Sequence, residues 1–401
     1  MRTSFWLCCC AALAACSEVP PPAPEPAPQT LRVATYNTSL YDDADGGLIA
    51  RLEGGDEAAA RIAAVIQHIR PDVVLLNEFD YDTDERAAEL FQRRYLESAQ
   101  AGQEPIYYAY RYSAPVNTGE PSGLDLNGDG TSDGPNDAWG FGKHPGQYGM
   151  LVLSRFPIDT VGARSFRTFP WKDLPDARQP KYPAESIEAG RAYYPETIWN
   201  ALRLSSKSHW DLPVVTPLGL VHLLASHPTP PVFDGPEDRN GARNHDEIRF
   251  WVEYLAQPNA NWICDDTGQR GGLAADARFV ILGDLNADAH DGDGSHDAIA
   301  QLIGHVRVDA SRVPVSEGAP EVAKLHGFER QGDVAAHTGD FGPRVGTLRL
   351  DYALPSQGFS IRDTGVFWPK AGEPGSELVE ASDHRMVWID LANPPAKPQP
   401  R

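Results

Sequence analysis

The stretch VILGDLNAD, residues 280–288, decides the fold because an apolar run stops abruptly at two polar side chains. Strands are rich in β-branched and apolar residues and poor in Asp and Asn. Asp284 and Asn286 nevertheless stand two residues apart at the end of this run. Residues two apart in an extended chain share a face. We therefore expect a buried strand whose end directs a carboxylate and an amide toward one ligand.

Other apolar runs end in the same way. LRVATYN (31–37), DVVLLNE (72–78) and GLVHLLASH (219–227) each read as a strand that stops at a polar residue. The polar residues at these and later strand ends are Asn37, Asn77, Glu78, His227, Asp351, Ser382, Asp383 and His384. A single polar strand end is usually a cap or a turn. The repetition favours a ligand site, because such sites gather at strand ends in layered α/β folds.

Helical segments alternate with these strands. DEAAARIAAVIQHIR (56–70) has an apolar face at helical spacing and ends before Pro71. Residues 86–100 and 243–256 predict further helices, whereas PVVTPLG (213–219) predicts the first arm and turn of a hairpin. Because hairpins interrupt the alternation, the sequence predicts a mixed α/β layered protein.

The overall charge restricts the class of partner. The 401 residues carry a formal net charge of -21, with 41% hydrophobic and 23% charged residues. This composition supports a large buried core. Proteins that hold long nucleic acids present a basic face, because neutralised phosphates supply much of the affinity. We therefore expect no stable nucleic-acid partner, and the sequence predicts no oligomeric state.

The N-terminal residues predict a protein anchored to a bacterial membrane outside the cytoplasm. An apolar run at residues 5–15 has the length of a secretory signal core and is too short to span a bilayer. It ends in LAAC, which resembles the lipobox of bacterial lipoproteins and makes Cys16 the expected lipidation site. The alternative is an ordinary signal peptide with a chance Cys. Ser17 favours the outer membrane, on its periplasmic side.

These features divide the chain. We assign residues 1–15 to a lipoprotein signal peptide, residues 16–30 to the lipidated Cys and a Pro-rich linker, and residues 392–401 to a Pro-rich tail. Residues 31–391 form the expected domain, with insertions near 103–146 and 162–200. Only Cys264 remains in that domain, so no intrachain disulfide is expected.

Carboxylates gathered at one sheet edge need a counter-charge. Two ionised groups about 4 Å apart repel by about 4 kcal/mol at an effective dielectric near 20. A divalent cation among them removes that cost. Oxygen ligands without clustered Cys or closely spaced His favour Mg²⁺, Mn²⁺ or Ca²⁺ over Zn²⁺. Carboxylates, amides and two histidines around such a cation suit hydrolysis of a phosphate ester.

The motifs TYN, NE, SH, GDLN, LDY and SDH, in this order, resemble those of the endonuclease/exonuclease/phosphatase (DNase I-like) superfamily. The resemblance covers residues 31–391. It implies a four-layer α/β sandwich in which two packed mixed β-sheets are flanked by helices. It also implies a catalytic Mg²⁺ or Mn²⁺, with Ca²⁺ as a structural or catalytic alternative.

The resemblance implies a role for each matching residue. Glu78 is the principal metal ligand, Asn37 lies beside it, and Asp383 belongs to the metal site or its surroundings. Asp284 orients or deprotonates water, and Asn286 contacts the scissile phosphate. The remaining expected catalytic residues are His227, which binds phosphate or assists the leaving group, and His384, paired with Asp351.

Two acidic loops invite a metal interpretation. DLNGDGTSD (125–133) resembles a calcium loop with ligands at Asp125, Asn127, Asp129, Thr131 and Asp133, but position twelve is Asn136 and no helix is expected on either side. A structural Ca²⁺ and a solvated turn remain equal alternatives. The second loop, residues 287–297, lacks a full ligand pattern, and we interpret it as a polar loop.

Basic residues near the second insertion could grip phosphate locally. The candidates are Arg164, Arg167, Lys172, Arg178, Arg191, Lys207, His209, Arg243, Asn244 and His245. Ordinary surface charge is the better interpretation for any one of them. The sequence predicts a phosphodiesterase or phosphatase acting on a phosphate-ester substrate of modest size. The alternatives are a secreted DNA or RNA endonuclease, a sphingomyelinase-like lipid phosphodiesterase, and a catalytically inactive binding lipoprotein of the same fold.

Overall fold

A computed structural model describes residues 29–395. The predicted signal peptide, the lipidation site Cys16, residues 16–28 of the linker and most of the Pro-rich tail lie outside these residues. Among residues 29–395, none of the helices has the length and apolar character that crossing a membrane requires.

The strands form two larger sheets and one short hairpin. They are β1 (Thr30–Leu40), β2 (Val73–Phe79), β3 (Tyr110–Tyr112), β4 (Met150–Ser154), β5 (Arg164–Ser165), β6 (His209–Thr216), β7 (Gly219–Ser226), β8 (Phe279–Asp284), β9 (Gly339–Asp340), β10 (Thr347–Leu348), β11 (Asp351–Pro355), β12 (Ser360–Val366) and β13 (Val387–Ala392). The first sheet has the order β12-β13-β1-β2-β4-β3, and the second has the order β11-β8-β7-β6-β5. The remaining pair, β9 and β10, forms the hairpin.

Helices cover the outer face of each large sheet. They are α1 (Gly47–Gly54), α2 (Glu57–Ile69), α3 (Arg86–Leu90), α4 (Glu196–Trp199), α5 (Arg239–Ala256), α6 (His296–Ile303) and α7 (Gly318–His326). The predicted helix over residues 86–100 is shorter than expected, because α3 gives way to a π-helical turn at Phe91–Leu96. Strand β12 was not predicted, since its sequence SIRDTGV alternates poorly and lies at a sheet edge.

Alternation along the strands sorts their side chains into three apolar layers. In β8, Val280 and Leu282 enter the core between the two sheets, whereas Phe279 and Ile281 pack beneath α5 and α6. In β1, Val33 joins the core between the sheets, whereas Ala34 and Tyr36 face α1 and α2. The resulting order of helices, sheet, sheet and helices confirms the four-layer α/β sandwich.

Strand directions bring the polar strand ends to one edge. Strands β1 and β2 run parallel, as do β7 and β8. Strand β11 is antiparallel to β8, with Asp351 opposite Asp284, and β13 is antiparallel to β1. The starts of β11 and β13 therefore lie beside the ends of the other four strands, where the candidate site forms.

The core between the sheets predicts a large stability difference between two matched truncations. Leu282→Ala removes a fully buried side chain from β8, whereas Leu325→Ala removes one that is 79% exposed on α7. We expect Leu282→Ala to lower the free energy of unfolding by about 2–5 kcal/mol, and Leu325→Ala by about 0.5 kcal/mol or less. Urea denaturation measures both, and equal losses would contradict the assigned core.

Candidate active site

The carboxylate of Asp284 is the centre of the site. Its Oδ2 lies 3.0 Å from Nδ2 of Asn37, 3.4 Å from Nε2 of His227 and 3.5 Å from Nε2 of His384. Asp284 is 1% exposed. Burial alone would raise its pKa, but the two histidines and the Asn37 amide outweigh this effect and hold the pKa well below its usual value. Asp284 is therefore ionised.

A hydrogen bond and a close approach of two strands fix the backbone around Asp284. Its N–H donates to Oδ1 of Asn77 at 3.1 Å, which joins the ends of β8 and β2 across the two sheets. The preceding residue is Gly283, and a Cβ there would stand 2.0 Å from the Ser226 carbonyl oxygen. Only glycine permits β7 to approach β8 this closely. Asn77 had no predicted role, although its place at the end of a buried strand was a usable signal.

Asn286 reaches the cleft by a turn and not by extension. Strand β8 ends at Asp284, and Asn286 has a left-handed φ of 51° with its N–H donating to Oδ1 of Asp284 at 2.9 Å. The expectation that the two side chains share the face of one extended strand was wrong, because the chain turns after Asp284. Nδ2 of Asn286 donates to the Pro228 carbonyl at 3.1 Å, and the residue lines the same cleft as Asp284.

His384 stands between two carboxylates. Its Nδ1 lies 2.8 Å from Oδ2 of Asp351, and an ionised carboxylate can only accept, so Nδ1 carries a proton. Thr338 donates to the same oxygen at 2.7 Å, a contact that had no sequence signal. Burial acts to lower the pKa of His384, but Asp351 and Asp284 raise it well above its usual value. Burial also raises the pKa of Asp351.

His227 is in the opposite electrostatic state. Burial, together with the nearby ammonium of Lys207, lowers the pKa of His227 to about 4. Its Nε2 faces Asp284, and its Nδ1 is buried without a hydrogen-bond partner among residues 29–395. The two histidines therefore approach the same carboxylate oxygen, one neutral and one protonated at neutral pH.

Glu78 lies at the mouth of this group. Its Oε1 is 4.0 Å from Nε2 of His227, and burial raises its pKa to about 7, with Asp284 and Asp383 adding to the shift. Its backbone adopts a left-handed φ of 53°, which costs a non-glycine residue of order 1 kcal/mol and is typical of functional sites. A cation would relieve the repulsion among these carboxylates.

The predicted metal ligands form a looser group than the hydrogen-bonded one. Asp383 is exposed at the cleft, 3.4 Å from the Ser39 hydroxyl, whereas Asn37 is fully buried. Asp284, Asp351 and His384 also offer ligand atoms within 4.8 Å of one another. The hydrogen bond between His384 and Asp351 accounts for part of this proximity. The assignment of Glu78, Asn37 and Asp383 as the metal ligands stays a prediction. Their oxygen-rich set fits a hard divalent cation.

The cleft around these residues has a volume of about 810 Å³. Lys207 lines it and is 6% exposed, with Nζ 3.5 Å from the Pro228 carbonyl. Aromatic side chains of Tyr41, Phe141 and Phe233 line its walls. The cleft thus combines acidic and imidazole side chains at its floor, the buried ammonium of Lys207 and an apolar rim.

Other predicted cationic candidates serve the fold. Arg164 pairs with Asp265 at 2.7 Å, and Arg178 pairs with Asp297 at 2.7 Å. Arg243 donates to backbone carbonyls, including that of Leu204 at 2.8 Å, although it also borders the cleft. Lys207 is therefore the candidate best placed to contact a phosphate.

The loop at residues 125–133 is explained by its own hydrogen bonds. Asp125 accepts from the N–H groups of Gly128 at 2.7 Å and Gly130 at 2.9 Å, and Asp129 accepts from that of Thr131 at 2.9 Å. Such turns also occur without metal. Asn127 donates to Asp129, and Asp133 is exposed. Calcium binding here stays a prediction.

The comparisons with known proteins place this site in a family. The model of the Endonuclease/Exonuclease/phosphatase family matches residues 34–384. Similar solved structures include an endonuclease/exonuclease/phosphatase from Beutenbergia cavernae DSM 12333, with 21% identity, a TM-score of 0.48, and coverage of 93% of this chain and 74% of that chain. Sphingomyelinase C from Streptomyces griseocarneus has 18% identity and a TM-score of 0.45, with coverage of 91% and 100%.

With TM-scores below 0.5, these likenesses carry no argument about this chain. A comparison with curated proteins finds no match. The family model, in contrast, spans most of the described residues and all the candidate catalytic ones. The chain belongs to the endonuclease/exonuclease/phosphatase family, whose members are generally metal-dependent hydrolases acting on phosphate esters.

Proposed function

We propose that this protein is a divalent-metal-dependent phosphodiesterase or phosphatase, anchored by lipid at Cys16 outside the cytoplasm. The observation that carries the enzymatic part is the convergence of Asn37, His227 and His384 on one carboxylate oxygen of Asp284, beside Glu78. The location rests on the sequence of residues 1–30, which supports a bacterial lipoprotein with its domain on the periplasmic side.

Asp284 and His384 have different roles in the proposed hydrolysis. A water oxygen forms a new bond to phosphorus while the bond to the ester oxygen breaks. The proton that the water loses is taken up by the departing ester oxygen, so the products are an alcohol and a phosphate. Asp284 accepts a hydrogen bond from Nδ2 of Asn37, lies 3.4 Å and 3.5 Å from Nε2 of the two histidines, and has a pKa well below its usual value, so it is a weak base that orients the water. Nε2 of His384, whose protonated ring is held by Asp351, is placed to donate to a phosphoryl oxygen.

Glu78, Asn37 and Asp383 would hold the cation. When bound, Mg²⁺ or Mn²⁺ supplies Lewis-acid stabilisation of charge on the phosphoryl oxygens. Lys207, which also lines the cleft, contributes a second positive charge, and its burial strengthens a contact with phosphate. Asn286 and His227 complete the set of donors facing the phosphate, in agreement with the roles implied by the family resemblance.

The cleft favours an ester of modest size. Its 810 Å³ volume and aromatic rim accommodate an organic group attached to phosphate. The Lys and Arg side chains that border the cleft among residues 29–395 are Lys207, Arg239 and Arg243. Arg239 pairs with Glu237 and Arg243 donates to backbone carbonyls, so little positive charge is free to hold a long polyanion. A nuclease of the same mechanism is the alternative.

Removal of Asp284 predicts a loss of turnover. We expect Asp284→Asn to lower kcat at least about 10²-fold, because water loses its charged partner. The assay uses bis-p-nitrophenyl phosphate, p-nitrophenyl phosphate, DNA and sphingomyelin, each with Mg²⁺, Mn²⁺ and Ca²⁺ and after EDTA treatment. Asp276→Asn, an exposed residue before β8, is the matched control. Metal-independent turnover, or full activity of Asp284→Asn, would overturn the mechanism.

Asp351 is expected to act through His384. Asp351→Asn should lower kcat by about 10²-fold or more with little change in KM, since the protonated imidazole loses the carboxylate that orients it and stabilises its charge. In a His384→Asn background, the same replacement should have almost no further effect. Steady-state kinetics of the two single variants and the double variant tests this coupling. Multiplicative losses would show that Asp351 acts independently.

Salt dependence separates the small-ester substrate from a polymer. Between 50 and 200 mM KCl we expect kcat/KM for bis-p-nitrophenyl phosphate to change by about twofold or less, because few counterions are released. DNA cleavage should remain slow at both salt concentrations. Fast DNA cleavage that falls steeply with salt would identify the protein as a nuclease.

A further inference from the structure

A second group of potential metal ligands lies beside the cleft. Asp288 and Asp291 follow β8, and His337 precedes the β9–β10 hairpin. Their ligand atoms all lie within 4.8 Å of one another. The three residues are 6%, 8% and 1% exposed, so the group is buried. It shares no residue with the constellation around Asp284.

The imidazole of His337 has one nitrogen in use and one without a partner. Its Nδ1 lies 2.7 Å from the Thr347 hydroxyl, whereas its Nε2 is buried and has no hydrogen-bond partner among residues 29–395. A buried polar atom left unpaired costs about 1–3 kcal/mol. With Nδ1 donating to the hydroxyl, Nε2 keeps a lone pair without a partner, and metal-binding histidines use a nitrogen in this state.

Both carboxylates are held in place by backbone N–H groups. Asp288 accepts from the N–H of His290 at 2.9 Å and from that of Arg349 at 2.9 Å. Asp291 accepts from the N–H of Gly332 at 2.9 Å. These bonds leave further lone pairs on the carboxylate oxygens. Within residues 29–395 neither carboxylate forms a salt bridge, so no side-chain cation neutralises the pair.

One basic side chain near the group is engaged elsewhere. The Arg330 guanidinium stacks over the Phe328 ring at 4.9 Å and donates to the Val345 carbonyl, and it forms no ion pair with Asp288 or Asp291.

We propose that Asp288, Asp291 and His337 bind a divalent transition-metal cation, Zn²⁺ in preference to Mn²⁺, at a site separate from the candidate catalytic metal. Two carboxylates and one imidazole form a ligand set that suits Zn²⁺ better than Mg²⁺ or Ca²⁺, which prefer oxygen alone. From the sequence, residues 287–297 are interpreted as a polar loop and this site is not predicted, because the third ligand, His337, lies 46 residues beyond Asp291.

The cation would tie two loops into the wall of the cleft. Asp288 and Asp291 line the same cleft as Asp284, and Asp288 lies two residues after Asn286. His337 belongs to the segment that leads to Thr338, whose hydroxyl donates to Asp351. Binding to the folded state alone would stabilise the protein. The site therefore serves to hold both loops in the position that the active site requires.

Zn²⁺ binding to variants tests the site without an activity assay. Equilibrium dialysis is carried out with excess Mg²⁺, which competes for the oxygen ligands around Glu78. We expect one tightly bound Zn²⁺ per chain in the unaltered protein and in Glu78→Gln. His337→Asn and Asp291→Asn should each weaken binding at least about tenfold. The matched control is His326→Asn. It removes a histidine at the end of α7 that pairs with the carboxylate of Asp340 on β9.

Circular dichroism checks that each variant folds, and Asp291→Asn provides the test if His337→Asn does not. Zn²⁺ binding that survives both replacements but is lost in Glu78→Gln would overturn the proposal and leave the proposed hydrolase intact. Zn²⁺ binding lost only in His337→Asn and Asp291→Asn would support the site even if no phosphate ester is hydrolysed.

Discussion

One buried carboxylate organises the site and the junction of the two sheets. Removing an ion from water costs several kcal/mol even after relaxation. Asp284 recovers this cost through contacts with Asn37, His227 and His384, which come from three different segments of the chain. Asn37, His227 and His384 therefore serve the fold as well as the chemistry, since their contacts keep the charge of Asp284 buried.

The strand order makes this convergence possible. Parallel pairs deliver β1, β2, β7 and β8 to the same edge, and antiparallel partners return β11 and β13 to it. A charge at one strand end can therefore be met by groups hundreds of residues away, as Asn37 meets Asp284 from 247 positions earlier in the chain. The apolar core between the sheets holds the edge rigid and keeps these groups 3.0–3.5 Å apart.

The elements that could be predicted from the sequence are those with a clear local pattern of apolar and polar residues. Apolar runs with polar ends identified β1, β2, β7 and β8, and the motif order predicted the layers. Strand β12 escaped because an edge strand has little apolar alternation. The turn at Asn286 and the hydrogen bond from Thr338 were not predicted, because each depends on contacts that the local sequence pattern does not encode. His337 escaped for the same reason, since burial and the lone Nε2 appear only in three dimensions.

The net charge of -21 gives the two candidate metal sites a common physical basis. An acidic protein attracts cations to its clefts and repels long polyanions, so its chemistry on phosphate depends on local positive charge. The buried ammonium of Lys207 is one source of that charge, and the cation proposed at Glu78 would be the other. A site near Asp291 would need a different cation, because an imidazole nitrogen replaces one oxygen. Ligand chemistry rather than total charge would then decide which metal occupies which site.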